Sequence, residues 1–356
     1  MRILFADDGV PYDGKTPAEA PLGGGERAVV NLARALALRG HVVTVATAII
    51  DPVRADGVAW VPLPMDEGER SLPADTDVLV AVRRPSLLSL PVRPGRRVVW
   101  VQGRPDYLVR PTVRARLATQ RPDLLYLSVS QQSAGPALSG RGGGMSARVI
   151  APGAARPFLE TEGAAPADPP VAVTTAHPLH GGLDWLLDRW EHGIAPAVPK
   201  ARLHVYSALL SAGLAGEAVP EGLDPLVARV RALAEKGVEV REPQPEAALA
   251  DAWRTARVFL HPGQVWDHAC WPLVEAQALG LPAVARPLGG APERIANGDS
   301  GMLVPDDDAF VNVAVQILTD DGLHRGMAEE ARAPARLRAW DDVAEDLETH
   351  WFSFSR

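Results

Sequence analysis

The chain has 356 residues, 47% of them apolar, and a net charge of −8; this suggests about two domains at ~150 residues each, with a sizeable core. One cysteine, Cys270, excludes an internal disulfide and fits a reducing compartment. No apolar run approaches the ~20 residues of a membrane span, and the chain opens directly on a strand with no leader-like region, so the expected location is cytoplasmic.

The charge is uneven. Residues 1–155 carry 19 Lys+Arg against 14 Asp+Glu, and the remainder 17 against 30. Ten arginines and one acid, Asp106, lie between Arg83 and Arg121. Such a segment suits peripheral contact with an anionic membrane, here its inner face, or with an anionic acceptor; a solvated arginine-rich face explains it equally well. Nucleic acid is not expected as a partner, because no aromatic interleaving or binding motif accompanies the arginines.

In chain order, Ile3–Ala6 reads as a strand, and Glu26–Arg39 as an amphipathic helix ended by Gly40. His41–Thr47, Val78–Val82, Val98–Val101 and Leu124–Val129 are Val- and Leu-rich runs of strand length. Their near-continuous apolar character is expected of strands covered on both faces, and the β/α alternation predicts an open, doubly wound, mostly parallel sheet. Gly142-Gly143-Gly144 reads as a flexible turn, Arg148–Ile150 as a last strand, and 156–170 as a linker rich in Ala, Pro and Gly. The pattern then restarts with strands at Val171–Thr174, Leu203–Tyr206, Val238–Val240, Val258–Leu260 and Pro282–Ala285. Helices are expected at Leu183–Trp190, Leu223–Lys236, Ala247–Thr255, Pro272–Leu279 and Ala309–Leu318, and Pro292-Glu293 is a good helix start. Trp340–Trp351 is an amphipathic helix that would cap one half. Two such α/β halves leave a cleft, and ligands in these sheets bind at the strands' carboxyl ends.

Two stretches point to a ligand. Leu22-Gly23-Gly24-Gly25-Glu26 sits between the first strand and the first long helix, where glycines let backbone approach a ligand and the helix start offers N–H groups. It lacks the lysine and Ser/Thr of a P-loop, and a plain turn would look the same. In the second half, Asp267 lies on a loop and Glu275 is expected in the first turn of the following helix, placed to accept hydroxyl hydrogen bonds. Cys270 reads as packed rather than nucleophilic, and Trp266 and Trp271 could stack on a base or sugar face, although core packing is the commoner fate. His177 and His180 have no further ligand cluster at zinc-like spacing, so no metal is expected. Asp306-Asp307-Asp308 reads as a helix cap.

Together these pieces resemble the family-4 retaining glycosyltransferases. The opening GGGERAVVNLARALALRGHVVTV, the pair SVSQQS and RVIAPGAARPF, and HGGLDWLLDRW are each similar to that family's segments. The most specific resemblance is DHACWPLVEAQALGLPAVARPLGGAPERIANGDSGMLVP, which looks like its E-x7-E block and tail, and AWDDVAEDL resembles its closing segment. The resemblance implies a GT-B fold: two Rossmann-like α/β domains facing each other across a cleft. The first, at 1–155 with a crossover helix at 338–356, would serve the acceptor, through long loops at Asp7–Leu22 and Arg104–Pro122; the second, at 171–337, would hold the nucleotide sugar.

The implied activity is transfer of a sugar, with retention, from a nucleotide-diphosphate donor to a glycan, lipid or small-molecule acceptor, without a cofactor or metal. By position, Glu275 would hold the donor ribose, Asp267 would contact the donor sugar, and amides around Cys270, Trp271, Pro272 and Leu273 would face sugar and phosphate. Gly289 lies in the adjoining glycine turn. Gly24 and Gly25 would approach the diphosphate or acceptor, and Gln102 stands where the family has a histidine. Thr174 and His180 occupy the places of its diphosphate-binding arginine and lysine; His180, if protonated, and Arg286 would supply replacement cations. Alternatives are a GT-B protein that binds a glycan or partner without catalysis and, on the same architecture, a sugar-nucleotide epimerase.

Overall fold

Strand β1 (Arg2–Ala6) buries every residue after the first, because helices cover both faces of the sheet it founds. The computed structural model describes residues 1–64, 72–135, 146–163 and 165–352; the Gly142-Gly143-Gly144 turn lies outside the described residues. The chain divides into two units, Met1–Gly153 with Arg338–Arg356, and Ala154–Leu337.

In the first unit β1 is joined by β2 (Val42–Thr47), β3 (Val53–Ala55), β4 (Val58–Pro62), β5 (Asp75–Val82), β6 (Arg93–Trp100), β7 (Asp123–Tyr126) and β8 (Ala147–Val149). Their spatial order is β3-β4-β2-β1-β5-β6-β7-β8. All pairings are parallel except β3 with β4, a short hairpin at the edge that the apolar pattern did not predict. The chain works outward from β1 on one side, then returns to lay β5 on the other. Such a reversal opens a crevice at the carboxyl ends of the two central strands, here β1 and β5. The helix Gly24–Leu38 packs on this sheet through Val29, Leu32, Ala33 and Leu36, all buried, so its apolar period is what docks it. The C-terminal helix Trp340–Phe352 joins the same unit: Trp340 meets Trp100 edge-on at 6.4 Å, and Glu348 binds both Arg39 and His41.

The second unit repeats the plan with β9 (Val171–Thr174), β10 (Arg202–Tyr206), β11 (Val238–Arg241), β12 (Val258–His261), β13 (Ala283–Ala285) and β14 (Gly301–Leu303). The order is β11-β10-β9-β12-β13-β14, all parallel, so the reversal falls between β9 and β12. One core face gathers Leu186, Trp190, Leu203, Phe310 and Ile317, and the other Phe158, Trp253, Phe259 and Leu273.

Several expectations change. Residues 156–170 carry more structure than a linker: Arg156–Glu160 is helical, Phe158 is fully buried in the second unit's own core, and the Ala165 and Ala167 amides bond to Arg254 and Thr255 carbonyls. Pro292-Glu293 opens only a single 3-10 turn, Ala291–Glu293, because the chain turns again at Gly298 (φ +91°) to enter β14. Helices at Thr16–Glu19, Pro111–Gln120 and Asp321–Ala331 were not anticipated, the first two inside stretches expected as loops. Asp306 caps its helix, accepting the Ala309 amide at 2.8 Å. The arginine-rich segment is partly spent on internal pairs, since Arg83, Arg84, Arg96 and Arg104 all face carboxylates of their own unit. Among the described residues no helix is long and apolar enough to cross a membrane.

Candidate functional sites

Each unit presents polar residues at its own switch point. In the first, Asp7 directly follows β1 and Arg83 directly follows β5, so the parallel register brings them side by side. Arg83 donates through Nη2 to both carboxylate oxygens of Asp7 and through Nη1 to Glu26 Oε1. Tyr12 donates its hydroxyl to Asp7 Oδ2 at 2.8 Å. Burial opposes charge on Arg83, but its bonds to Asp7 and Glu26 hold its pKa above the ordinary arginine range. Burial, then the Asp7 carboxylate, pushes Tyr12 well up, so it stays a neutral donor. Arg83 itself adopts a left-handed backbone, φ +63°, a strain that is kept where surroundings over-determine it.

Gly24 and Gly25 are the first two residues of the long helix, and Gln102, just past β6, reaches them. Gln102 Nε2 donates to Gly25 O at 3.1 Å, and a Cβ on Gly25 would lie 2.7 Å from Gln102 Oε1. The structure therefore unites Gly24, Gly25 and Gln102 and adds Asp7, Tyr12, Glu26 and Arg83. Spacing hid these because the partners are up to 76 residues apart; the available signal was that Asp7 and Arg83 each follow an apolar run that reads as a strand.

In the second unit Thr174 ends β9 and is fully buried, its hydroxyl accepting the Ala176 amide at 3.3 Å. His177 and His180 stack at 5.1 Å, and burial, with His180 beside it, lowers the His177 pKa. The helix Leu183–Arg189 starts at Gly182 (φ +77°), where a Cβ would meet Gln264, Pro262 and Arg286. Arg286 is fixed there: Nε donates to Pro262 O, Nη2 donates to Gly263 O at 3.0 Å, and the guanidinium lies 4.4 Å over the Trp185 ring. Burial lowers its pKa, and the two hydrogen bonds it makes use Nε and Nη2.

The loop from Pro262 to Cys270 carries Asp267, whose Oδ1 accepts the Cys270 amide at 3.0 Å. Cys270 is left-handed (φ +48°) and opens the helix Trp271–Leu279. Glu275 is thus the fifth helical residue and lies in the second turn rather than the first; it is buried. Of the amides assigned to phosphate, Pro272 has none, Cys270's donates to Asp267, and Leu273's donates to Cys270 O at 2.9 Å. The Gly289-Gly290 turn docks on this loop backbone to backbone. A Cβ would fall 2.2 Å from Asp267 O at Gly289 (φ +57°) and 2.2 Å from His268 O at Gly290, and the Gly290 amide donates to Asp267 O at 2.8 Å.

In the second unit, His261 also escaped the sequence reading. β12 extends to His261, whose Nε2 lies 3.8 Å from Asp267 Oδ2. Burial, the largest influence, lowers the His261 pKa, with Asp267 opposing and Arg286 assisting. Burial also pushes the Cys270 thiol well up, helped by Asp267.

This architecture defines a class: two parallel α/β units of the GT-B glycosyltransferase fold. The chain superposes on sucrose-phosphate synthase from Thermosynechococcus elongatus with a TM-score of 0.73 and 15% identity, covering 99% of this chain and 98% of that one. Anabaena HepE, solved with UDP and glucose, gives a TM-score of 0.69 at 16% identity, covering 99% and 100%. From sequence, residues 170–320 match the family model described as Glycosyl transferases group 1. Among curated relatives, D-inositol 3-phosphate glycosyltransferase of Streptomyces avermitilis is 35% identical over 131 residues, 36% of this chain and 28% of that protein. N-acetyl-alpha-D-glucosaminyl L-malate synthase of Bacillus anthracis is 45% identical over 62 residues, 17% and 16% of the two. These matches span less than a third of the relatives' own lengths.

Proposed function

We propose that the chain is a glycosyltransferase that moves a sugar from a nucleotide-diphosphate donor to a hydroxyl-bearing acceptor with retention. The observation that carries this reading is the β9/β12 switch point, with a loop carboxylate (Asp267), a buried helical carboxylate (Glu275) and a backbone-docked glycine turn in a group 1 domain. Glu275 would accept the ribose hydroxyls, a charge-assisted bond that a neutral side chain weakens. Asp267 would contact the donor sugar. Arg286 would stand where developing diphosphate charge needs a cation, assisted by His180. The acceptor would meet the first unit near Gly24, Gly25 and Gln102. The solved neighbour that holds UDP and glucose supports a uridine donor as the first to try. Contact of the arginine-rich 83–121 segment with an anionic inner membrane face belongs to the same reading.

Incubation with UDP-, GDP- and ADP-sugars, reading nucleotide diphosphate release with and without acceptors, tests it; NMR of the new anomeric linkage tests retention. Absence of turnover, slow donor hydrolysis and any nucleotide-induced thermal shift would overturn it. A binding protein without catalysis is the second reading. It is favoured by Thr174, the buried last residue of β9, where a diphosphate cation is expected, and it predicts no nucleotide-induced shift.

A further inference from the structure

We propose that His261, Asp267 and Cys270 form a binding site for a divalent cation of the zinc type, at the carboxyl end of β12. Nothing in the transferase reading requires such an ion, and the inference does not rest on that reading.

Three observations converge. First, a ring nitrogen of His261, a carboxylate oxygen of Asp267 and the Cys270 sulfur all lie within 4.8 Å of one another. Bond lengths of about 2.0–2.3 Å put the ligand atoms of a tetrahedral zinc site roughly 3.3–3.6 Å apart. The His261–Asp267 separation of 3.8 Å is already close to that, and small side-chain rotations supply the rest. Second, His261 is 8% exposed and, among the described residues, its Nε2 has no hydrogen-bond partner. A buried nitrogen without a partner costs free energy that a coordinate bond would recover. Third, the segment is held in place around the set. Cys270 keeps a left-handed backbone, its amide is bonded to Asp267 Oδ1, and the Gly290 amide is bonded to Asp267 O. The loop therefore presents its ligands from a fixed frame, while β12 presents His261 from the sheet.

The chemistry suits a borderline-soft ion. Imidazole, thiolate and carboxylate are each zinc ligands, and three side chains leave a fourth position open to water or another oxygen. Cys270 Sγ now contacts the Asp267 carbonyl oxygen at 3.2 Å, as a thiol donor. On binding, that thiol gives up its proton to solvent, the thiolate and the Asp267 carboxylate together balance the two positive charges, and His261 binds as the neutral ring. One proton is released per ion, so affinity falls as pH falls. Arg286 and Arg294 stand close enough to influence these groups and oppose a cation, which is why the paired negative ligands are needed.

The test uses the whole chain, purified without a metal-binding tag, and cobalt(II) as probe. Cys270 is the one cysteine in the sequence, so any thiolate-to-cobalt charge-transfer band can arise only there. One equivalent of cobalt should give that band together with visible bands of four-coordinate intensity, and zinc should abolish both. Cys270→Ser should lose the charge-transfer band, and His261→Ala should weaken cobalt binding at least tenfold, with folding of each variant checked by circular dichroism. If the folded wild-type chain gives no charge-transfer band at cobalt concentrations up to the millimolar range, the site does not exist. If His261→Ala binds cobalt as the wild type does, the assigned ligand set is wrong. No step of the test uses sugar transfer, so its failure leaves the transferase reading standing.

Discussion

Replacing Gly290 by alanine probes the contact that holds the candidate donor loop. The added Cβ would sit 2.2 Å from the backbone oxygen of His268, with that residue's carbonyl carbon at 2.8 Å. A non-bonded C···O separation is normally above 3 Å, so backbone must move by roughly 1 Å, and no side-chain rotation relieves the overlap. Overpacking of this kind costs about 1–3 kcal/mol. The shift also weakens the hydrogen bond from the Gly290 amide to Asp267 O, adding about 1 kcal/mol. The expected destabilisation is therefore about 2–4 kcal/mol. For a unit of 150–250 residues each kcal/mol lowers the melting temperature by about 2–4 °C, so calorimetry should register a fall of roughly 4–16 °C in the second unit, Ala154–Leu337. Gly326 is the control in the same unit: it lies within the helix Asp321–Ala331, and a Cβ there meets nothing within 4 Å. Gly326→Ala should stabilise by about 0.5–1 kcal/mol. If Gly290→Ala melts within a degree of the wild type, the loop is not held by this backbone contact and the reasoning fails.

Arg83→Met should destabilise the chain by about 3 kcal/mol in urea unfolding, because it strands the buried Asp7 carboxylate; adding Asp7→Asn should recover part of the loss, and a single-variant effect under 1 kcal/mol would contradict the pairing. Burial, with Arg257 beside it, pulls the His324 pKa from 6.5 to about 4. The unfolded chain therefore binds the extra proton first, stability falls as pH drops from about 6.5 to about 4, and His324→Gln should make that slope shallower; equal slopes would refute it. Arg286→Ala should weaken nucleotide-diphosphate binding about 10–100-fold, the loss of a charge-assisted hydrogen bond, and unchanged affinity in calorimetric titration would remove Arg286 from the site. Glu275→Gln should weaken nucleoside-diphosphate binding by about tenfold while inorganic diphosphate binding stays unchanged, since the carboxylate is read as a ribose ligand.

The alternation of apolar runs with amphipathic helices was enough to read most strands and helices, because strands covered on both faces must be apolar throughout and helices must carry a 3.6-residue stripe. Ile3–Ala6, Val171–Thr174 and Ala309–Leu318 are examples. Elements stabilised mainly by their surroundings were not legible: the edge hairpin β3–β4, and the helix Pro111–Gln120, whose one buried residue is Leu117. The glycine turn and the Asp267–Glu275 block were visible as a ligand-type pattern, since local chemistry marks them. Strand order is a different kind of information, set by which edges pair in space. Only the tertiary structure put β5 beside β1 and β12 beside β9. It thereby joined Arg83 to Asp7 across 76 residues and turned His261, an ordinary strand-end residue in the sequence, into the third member of a cluster with Asp267 and Cys270.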